Sequence, residues 1–132
     1  MRTASNFGRL LGELEHQIMR AVWSNGGAAT CRTVTGVVRR KKPLAYTTVV
    51  TVMNRLVDKG LLHREPARDA YVYTAPYSPQ EFYSSLAGAM LSRIREQFGE
   101  VAVACFVEEA EKMDRKKLKK VLNDLRSQNT AL

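Results

Sequence analysis

Apolar residues recur at helical spacing through residues 45–59, and they predict a helix with two different faces. One face is apolar and consists of Val49, Val52, Met53 and Leu56. The other face carries hydroxyl, amide and guanidinium groups, namely Thr47, Thr48, Thr51, Asn54 and Arg55. These groups have complementary partners on the base edges of a DNA major groove, and the face carries few acids that phosphates would repel. The alternative interpretation is a solvated face on an ordinary core helix.

The residues before this segment predict two more helices. Apolar residues at three- and four-residue spacing mark a helix at about residues 12–23, and a Ser-Asn-Gly-Gly segment ends it. Thr30 is placed to cap a second helix that continues to about Arg40. Pro43 prevents that helix from continuing into the next one.

Beyond Gly60 the pattern changes to that of a β-hairpin. Residues 61–65 and 70–74 predict two strands, and residues 66–69 predict the turn between them. Three helices followed by a hairpin is the order of a winged helix-turn-helix. In that fold the second helix crosses the DNA backbone, the third enters the major groove, and the hairpin lies along phosphate.

A second helical region follows the hairpin. Residues 78–81 combine a capping box with proline at the first helical position, and they predict a helix that continues to about Phe98. A short apolar helix is predicted at residues 101–111. Asp114 is placed to cap a last helix whose apolar residues follow a regular three-four spacing.

The apolar stripes of these three short helices exceed what one such region buries by itself. We therefore expect the same helices of a second copy to cover them. The expected dimerisation residues are Tyr83, Met90, Ile94, Phe98, Phe106, Val107, Leu118, Val121, Leu122 and Leu125. The predicted fold class is mainly α (α+β), with a winged helix-turn-helix DNA-binding domain at residues 1–76 and a helical dimerisation domain at residues 77–132.

The distribution of charge supports this division. Residues 1–76 contain 12 Lys/Arg and 5 Asp/Glu, whereas residues 77–132 contain 9 and 8. Almost all of the net charge of +8 therefore belongs to the region with the candidate recognition helix, as expected of a nucleic-acid-binding module. Binding to a membrane surface is the competing interpretation, but no strongly basic amphipathic helix with bulky aromatics is apparent. The lysine run at residues 115–120 is interpreted as a solvated face, with phosphate contact as the alternative.

The two cysteines predict no chemistry of their own. Cys31 and Cys105 form no CxxC pair and no metal-ligand spacing with His16 or His63. We expect both thiols to be reduced, at least partly buried and engaged in packing, with a redox switch as the alternative. No metal, cofactor or enzymatic site is predicted, because the chain has no phosphate loop, nucleophile elbow or paired carboxylates in a plausible pocket.

No segment of the sequence predicts export or insertion into a membrane. Residues 1–10 lack an apolar core of signal-peptide length. The longest apolar run, at residues 101–107, is too short to span a bilayer. These observations predict a cytoplasmic protein.

Several short motifs occur together and in order along residues 11–76. They are Leu14-Glu15, Ile18-Met19, Val22-Trp23, Ala45-Tyr46-Thr47-Thr48-Val49, Thr51-Val52, Asn54-Arg55-Leu56, Lys59-Gly60-Leu61-Leu62, Arg64-Glu65, Ala70-Tyr71-Val72-Tyr73 and Pro76. In this combination the chain resembles the BlaI/MecI (penicillinase repressor) family of winged-helix regulators. The remaining residues resemble that family mainly in length and helical pattern.

The resemblance implies a homodimeric repressor that binds a palindromic operator in double-stranded DNA and controls resistance or stress-response genes. It also implies that a separate membrane sensor and a protease release the repressor by cutting its dimerisation region. The DNA-binding residues expected from the resemblance and from the helix pattern are Tyr46, Thr47, Thr48, Val50, Thr51, Asn54, Arg55, Arg68 and Arg32. A structural ion pair with Asp58 or Glu65 is the alternative role of Arg55. The alternative function is a winged-helix module that binds protein or nucleic acid without operator specificity.

This chain departs from the family pattern at three places. Val50 stands where relatives often carry a polar residue, and valine can contact a thymine methyl but not a phosphate. The hairpin turn reads Ala67-Arg68-Asp69 where the family has Asp-Gly-Arg, so Arg68 is the expected cation of the wing. Cys105-Phe106 replaces the family's Asn-Phe cleavage pair, which weakens the inference of induction by the same protease.

Overall fold

The computed structural model describes residues 11–131, with side chains to residue 127, and within that range the chain forms six helices and three short strands. The elements are α1 Glu13–Ser24, β1 Ala28–Ala29, α2 Cys31–Val38, α3 Tyr46–Asp58, β2 His63–Ala67, β3 Ala70–Thr74, α4 Pro79–Phe98, α5 Glu100–Glu111 and α6 Arg115–Ala131. This is a mainly α winged helix-turn-helix followed by a helical region, which confirms the predicted fold class. The prediction that residues 1–10 contain no signal peptide concerns residues outside the described range.

The three helices of the first unit pack on a core that the sequence pattern anticipates. The apolar face of α3 is fully or nearly fully buried, and α1 and α2 contribute residues of the same kind. The side chains exposed by less than 2% include Ile18, Met19, Val22, Val34, Val49, Met53 and Leu56. Each such side chain stabilises the fold by about 1.5–3 kcal/mol relative to exposure. Burial of this stripe fixes which face of α3 remains turned to solvent.

The hairpin differs from its prediction at the start of its first strand. Gly60 has a φ of 79°, and the chain turns there so that the Leu61 N–H donates to the Leu56 carbonyl at 2.9 Å. Leu61 and Leu62 are both buried, so they belong to the core and not to the predicted strand at residues 61–65. Strand β2 begins at His63 and continues into the predicted turn, up to Ala67.

The sheet has the order β1-β3-β2, and all its pairs are antiparallel. Strand β1 consists of two residues that pair with the end of β3, and the sequence pattern does not indicate it. Pro66 is tolerated in β2 because this strand lies at the edge of the sheet. The turn from β2 to β3 is reduced to Arg68 and Asp69, both with negative φ, so it is not a type I′ or II′ turn.

The packing of the backbone divides the chain between Ser78 and Pro79 into two units, whose described parts are residues 11–78 and 79–131. In the second unit α4 contacts both α5 and α6. Its helices are predicted well in extent, and Asp114 caps α6 by accepting from the Lys117 N–H at 3.2 Å. Helix α4 buries only Pro79 and Phe82, and α5 buries no residue.

Among residues 11–131, no helix combines the length and apolar character needed to cross a bilayer.

Candidate nucleic-acid interface

Helix α3 starts without a side-chain cap. Its N-cap residue is Ala45, in extended conformation, and no side-chain oxygen accepts from the first N–H groups of the helix. The Thr48 N–H donates to the Ala45 carbonyl at 3.1 Å. The N–H groups of Tyr46 and Thr47, together with the positive end of the helix dipole, are therefore available to an anion such as a phosphate. The preceding turn is closed by Arg39, whose Nε donates to the Leu44 carbonyl at 2.9 Å.

Four of the five residues that the sequence predicts on the polar face of α3 are exposed, whereas Asn54 is half-buried. Thr47, Thr48, Thr51 and Arg55 are all exposed, on the side opposite the buried stripe. The Thr51 hydroxyl donates to the Thr47 carbonyl at 3.0 Å, so it faces solvent with its acceptor lone pairs and its methyl group. Among the described residues Arg55 forms no ion pair with Asp58 or Glu65, its alternative partners.

Three other predicted residues of α3 lie on a flank of the helix that faces the hairpin. Tyr46, Val50 and Asn54 follow one another at four-residue spacing, which places them along one side of the helix. They line an open groove of about 750 Å³ between α3, the start of α2 and the hairpin. We call this the helix–wing groove, and its walls comprise Thr30, Cys31, Arg32, Tyr46, Val50, Asn54, Arg64, Pro66, Ala67, Asp69, Ala70, Tyr71 and Tyr73.

The register of the hairpin explains why these strand residues meet in the groove. Arg64 pairs with Tyr73 and Pro66 pairs with Tyr71, so the four side chains lie on the same face of the sheet. Glu65 pairs with Val72 and belongs to the opposite face. The alternation therefore places a guanidinium and two phenol rings beside α3 and keeps the neighbouring carboxylate on the other side.

A hydrogen-bond cluster joins α3 to the hairpin across this groove. The Asn54 Oδ1 atom accepts from Arg64 Nη1 at 2.8 Å and from the Tyr73 hydroxyl at 2.9 Å. The Arg64 guanidinium also lies over the Tyr71 ring, 4.6 Å from its centroid, in cation–π geometry. The sequence predicts that Asn54 contacts DNA directly, whereas its carboxamide oxygen is occupied within the protein. Arg64 is evident in the sequence only as part of the family motif, although its two-residue spacing from Pro66 indicates a shared face.

The two cysteines have different environments. Cys31 is buried beneath the groove, and burial raises the pKa of its thiol even though the nearby Tyr73 hydroxyl lowers it in part. Burial, followed by the neighbouring Cys31, likewise raises the pKa of Tyr73. Both groups are thus protonated at neutral pH. Cys105 is exposed, so the expectation that it is at least partly buried is wrong, because α5 finds no apolar partner for this side within the described chain.

The remaining predicted cations surround the same region. Arg32 lines the groove from the first turn of α2, and Arg68 occupies the exposed tip of the hairpin. The turn between α2 and α3 adds Arg40, Lys41 and Lys42, which are exposed and which are not among the binding residues predicted from the sequence. Their signal is the basic run itself, which lies between the two helices of a helix-turn-helix.

The predicted dimerisation residues present a broad apolar surface on the second unit. Phe98 is 70% exposed and Val121 is 56% exposed. The predicted set with at least 38% exposure comprises Met90, Phe98, Phe106, Val107, Leu118, Val121 and Leu122, whereas Tyr83, Ile94 and Leu125 are half-buried. Val101 and Met113 are also exposed, although they are not among the predicted dimerisation residues.

Within the described residues no group of three His, Cys, Asp or Glu side chains is arranged to hold a metal ion.

Comparison with known proteins identifies relatives over most of the chain. The model of the penicillinase repressor family matches residues 11–124. The transcriptional regulator BlaI from two strains of Mycobacterium tuberculosis is 29% identical over 116 residues, which cover 87% of this chain and 84% of that protein.

Solved structures with a similar arrangement are more distant. A winged-helix DNA-binding protein from STIV has a TM-score of 0.47 and 13% identity, and the match covers 60% of this chain and 89% of that one. A transcriptional regulator from Thermotoga maritima has a TM-score of 0.46 and 18% identity, with 86% and 77% covered.

Proposed function

The chain belongs to the penicillinase repressor family, and from this premise we propose that it is a homodimeric repressor that binds a palindromic DNA operator through α3. The observation that carries the proposal is the exposed face of α3. Its threonines and Arg55 point away from a fully buried apolar stripe. Such a face offers hydroxyls, methyl groups and a guanidinium to base edges, and it offers them from a rigid element.

The charges around α3 support a DNA duplex as the partner. Exposed cations precede the helix in the basic turn at residues 40–42 and follow it at the hairpin tip, Arg68. Arg32 adds a cation at the start of α2. We propose that these side chains contact phosphates on both sides of the groove that α3 enters, which sets the register in which Thr47, Thr48 and Thr51 meet the bases.

The apolar surface of the second unit supports the dimer. Monomeric proteins rarely leave an apolar surface of this extent in water, and a second copy offers the same helices as a matching partner. In a twofold dimer the two copies of α3 would contact DNA half-sites whose centres lie about one turn of the double helix apart, or a small multiple of that distance. A palindromic operator follows from that symmetry.

We propose that the controlled genes serve resistance or stress responses, in keeping with the family. Release by a protease that acts downstream of a membrane sensor is the family's mode of induction. Cys105-Phe106 stands here in place of the family's Asn-Phe pair, so cleavage at this position requires a protease that accepts cysteine before phenylalanine. A mass measurement of the repressor after induction of the host cell locates the cut, and an intact chain would exclude proteolytic release.

A DNA titration tests the central proposal. The protein is titrated against its own promoter region and against random DNA of equal length, at two salt concentrations. We expect saturable binding that favours the promoter by about 10³ or more, and footprinting then gives the half-sites. Equal affinities with the same steep salt dependence would mean that charge alone holds the DNA, and the function would be that of a non-specific module.

A further inference from the structure

The Arg64 guanidinium is held from two sides before any ligand arrives. Asn54 Oδ1 accepts from its Nη1 at 2.8 Å, and the Tyr71 ring supports its planar face at 4.6 Å. A free arginine loses much rotamer freedom when it binds an anion, whereas a guanidinium already fixed in place loses less. Arg64 is nevertheless exposed, so the group is ordered but accessible to a ligand.

The positive charge of Arg64 is not neutralised by its partners. Asn54 and Tyr71 are uncharged, and Tyr73 is a neutral phenol at ordinary pH because burial, followed by the neighbouring Cys31, raises its pKa. Glu65 lies on the opposite face of the sheet. Asp69 belongs to the groove wall at the hairpin turn, but no ion pair joins it to Arg64 within the described residues.

The position of this cation defines the kind of ligand that it fits. Arg64 lies in the helix–wing groove, opposite the flank of α3 that carries Tyr46 and Val50. Arginine has five N–H donors, and Asn54 takes up one of those on Nη1, so further N–H groups can reach an acceptor in the groove. Planar paired donors suit the oxygens of a phosphate.

We propose that Arg64 is a DNA phosphate-binding residue and that Asn54 is its positioning residue. The proposal rests on the function proposed above and adds a site to it. In this arrangement Asn54 contributes to DNA binding through Arg64 and not by contacting a base. The DNA strand that passes between α3 and the hairpin would place one of its backbone phosphates in the helix–wing groove of each protomer.

The first test measures how the dissociation constant depends on salt. Removal of one phosphate-binding cation is expected to reduce the slope of log affinity against log salt by about 0.9. We expect Arg64→Ala to lower this slope and to weaken binding by a similar factor on the promoter and on random DNA. Arg20→Ala, which removes an exposed arginine outside the groove, is the matched control and should leave the slope unchanged. An unchanged slope for Arg64→Ala would overturn the phosphate role.

The second test is a double-mutant cycle that distinguishes positioning from base contact. If Asn54 acts through Arg64, Asn54→Ala weakens binding in the wild-type background and has little further effect in the Arg64→Ala background. Its effect should also be the same on both DNAs. A full additional loss of affinity in the Arg64→Ala background, larger on the promoter than on random DNA, would show that Asn54 contacts a base and would overturn the positioning role.

Folding and the underlying function are checked independently. Thermal unfolding is measured for every variant, and Arg64→Lys provides a second substitution that keeps the charge while removing the planar fork. We expect Arg64→Lys to keep the salt slope but to bind more weakly, and binding equal to wild type would contradict the need for an ordered guanidinium. If the wild-type protein binds the promoter and random DNA equally, the proposed repressor function is refuted. The dependence of affinity on salt, measured on random DNA, would still test the role of Arg64.

Discussion

Lys59 Nζ lies 2.6 Å from Glu15 Oε2, and this ion pair joins the residue that follows α3 to the first turn of α1. The same carboxylate accepts from the Gly12 N–H at 3.1 Å through its Oε1 atom. Burial by itself would raise the pKa of Glu15, but the hydrogen bonds from Lys59 and Gly12, and the charges of Lys59 and Arg55, hold this pKa below its usual value. The folded protein therefore favours the ionised carboxylate.

A pH-dependent contribution to stability follows from this lowered pKa. Since the folded state has the lower pKa, the stabilisation is fully present above the pKa of an unfolded glutamate, about 4.3. It is lost as the pH falls through the folded value. We expect Glu15→Gln to reduce the free energy of unfolding by about 1.5–3 kcal/mol at pH 7, and the difference from wild type to shrink as the pH falls below about 4.

Urea unfolding at several pH values measures this difference. Glu13→Gln is the matched control, because Glu13 is an exposed acid in the same helical turn, where its carboxylate accepts a 3.3 Å hydrogen bond from Gln17. A stability difference for Glu15→Gln that stays constant from pH 7 to pH 3 would contradict the role of the ion pair.

The Thr51 side chain is expected to contact a base. Its hydroxyl donates to the Thr47 carbonyl, so towards DNA it offers acceptor lone pairs and a methyl group. Thr51→Ala removes both and should weaken operator binding by about 1–3 kcal/mol, with a smaller effect on random DNA. Gel-shift or anisotropy titration of both DNAs measures the two effects. Ser84→Ala in α4 is the control for loss of an exposed hydroxyl, and an equal loss of affinity on both DNAs for Thr51→Ala would refute base contact.

The Cys31 thiol should react slowly as long as the protein is folded. It is 7% exposed, and burial raises its pKa, so little thiolate exists at neutral pH. In a Cys105→Ser chain, which leaves Cys31 as the single thiol, we expect maleimide labelling to proceed at least ~10-fold more slowly than in the same chain unfolded by urea. Fast labelling of the folded chain would show that the groove opens to expose Cys31.

The helices can be predicted from the sequence because their determinants are local. Helix α3 is predicted at residues 45–59 and spans Tyr46–Asp58, since its apolar stripe, Pro43 before it and Gly60 after it lie within one segment. Strand β1 cannot be predicted in this way. It consists of two alanines, and their partners, Tyr73 and Thr74, lie far along the chain.

The helix–wing groove shows the same limit for the candidate site. The exposed threonines of α3 follow from helical periodicity, whereas the cluster of Asn54, Arg64 and Tyr73 depends on the hairpin register and on how the hairpin packs beside α3. The predicted strand begins two residues before His63 because Leu61 and Leu62 are apolar residues that serve the helical core. Tertiary burial thus decides what the local pattern leaves ambiguous.

Leu122 is expected to lie in the dimer interface. In the isolated chain it is 39% exposed, next to Val121 at 56% and Leu118 at 49%, so α6 presents a continuous apolar stripe. Leu122→Asp would place an unpaired carboxylate from each copy in that interface, which costs several kcal/mol and should weaken the dimer by more than about 10²-fold. Sedimentation at micromolar concentration measures the change. Operator affinity should fall with it, because in the proposed complex the two copies of α3 bind the two half-sites together. Asn123→Asp introduces the same carboxylate at the neighbouring exposed position outside the stripe and should leave the dimer intact. A Leu122→Asp chain that sediments as a dimer would exclude this face of α6 from the interface.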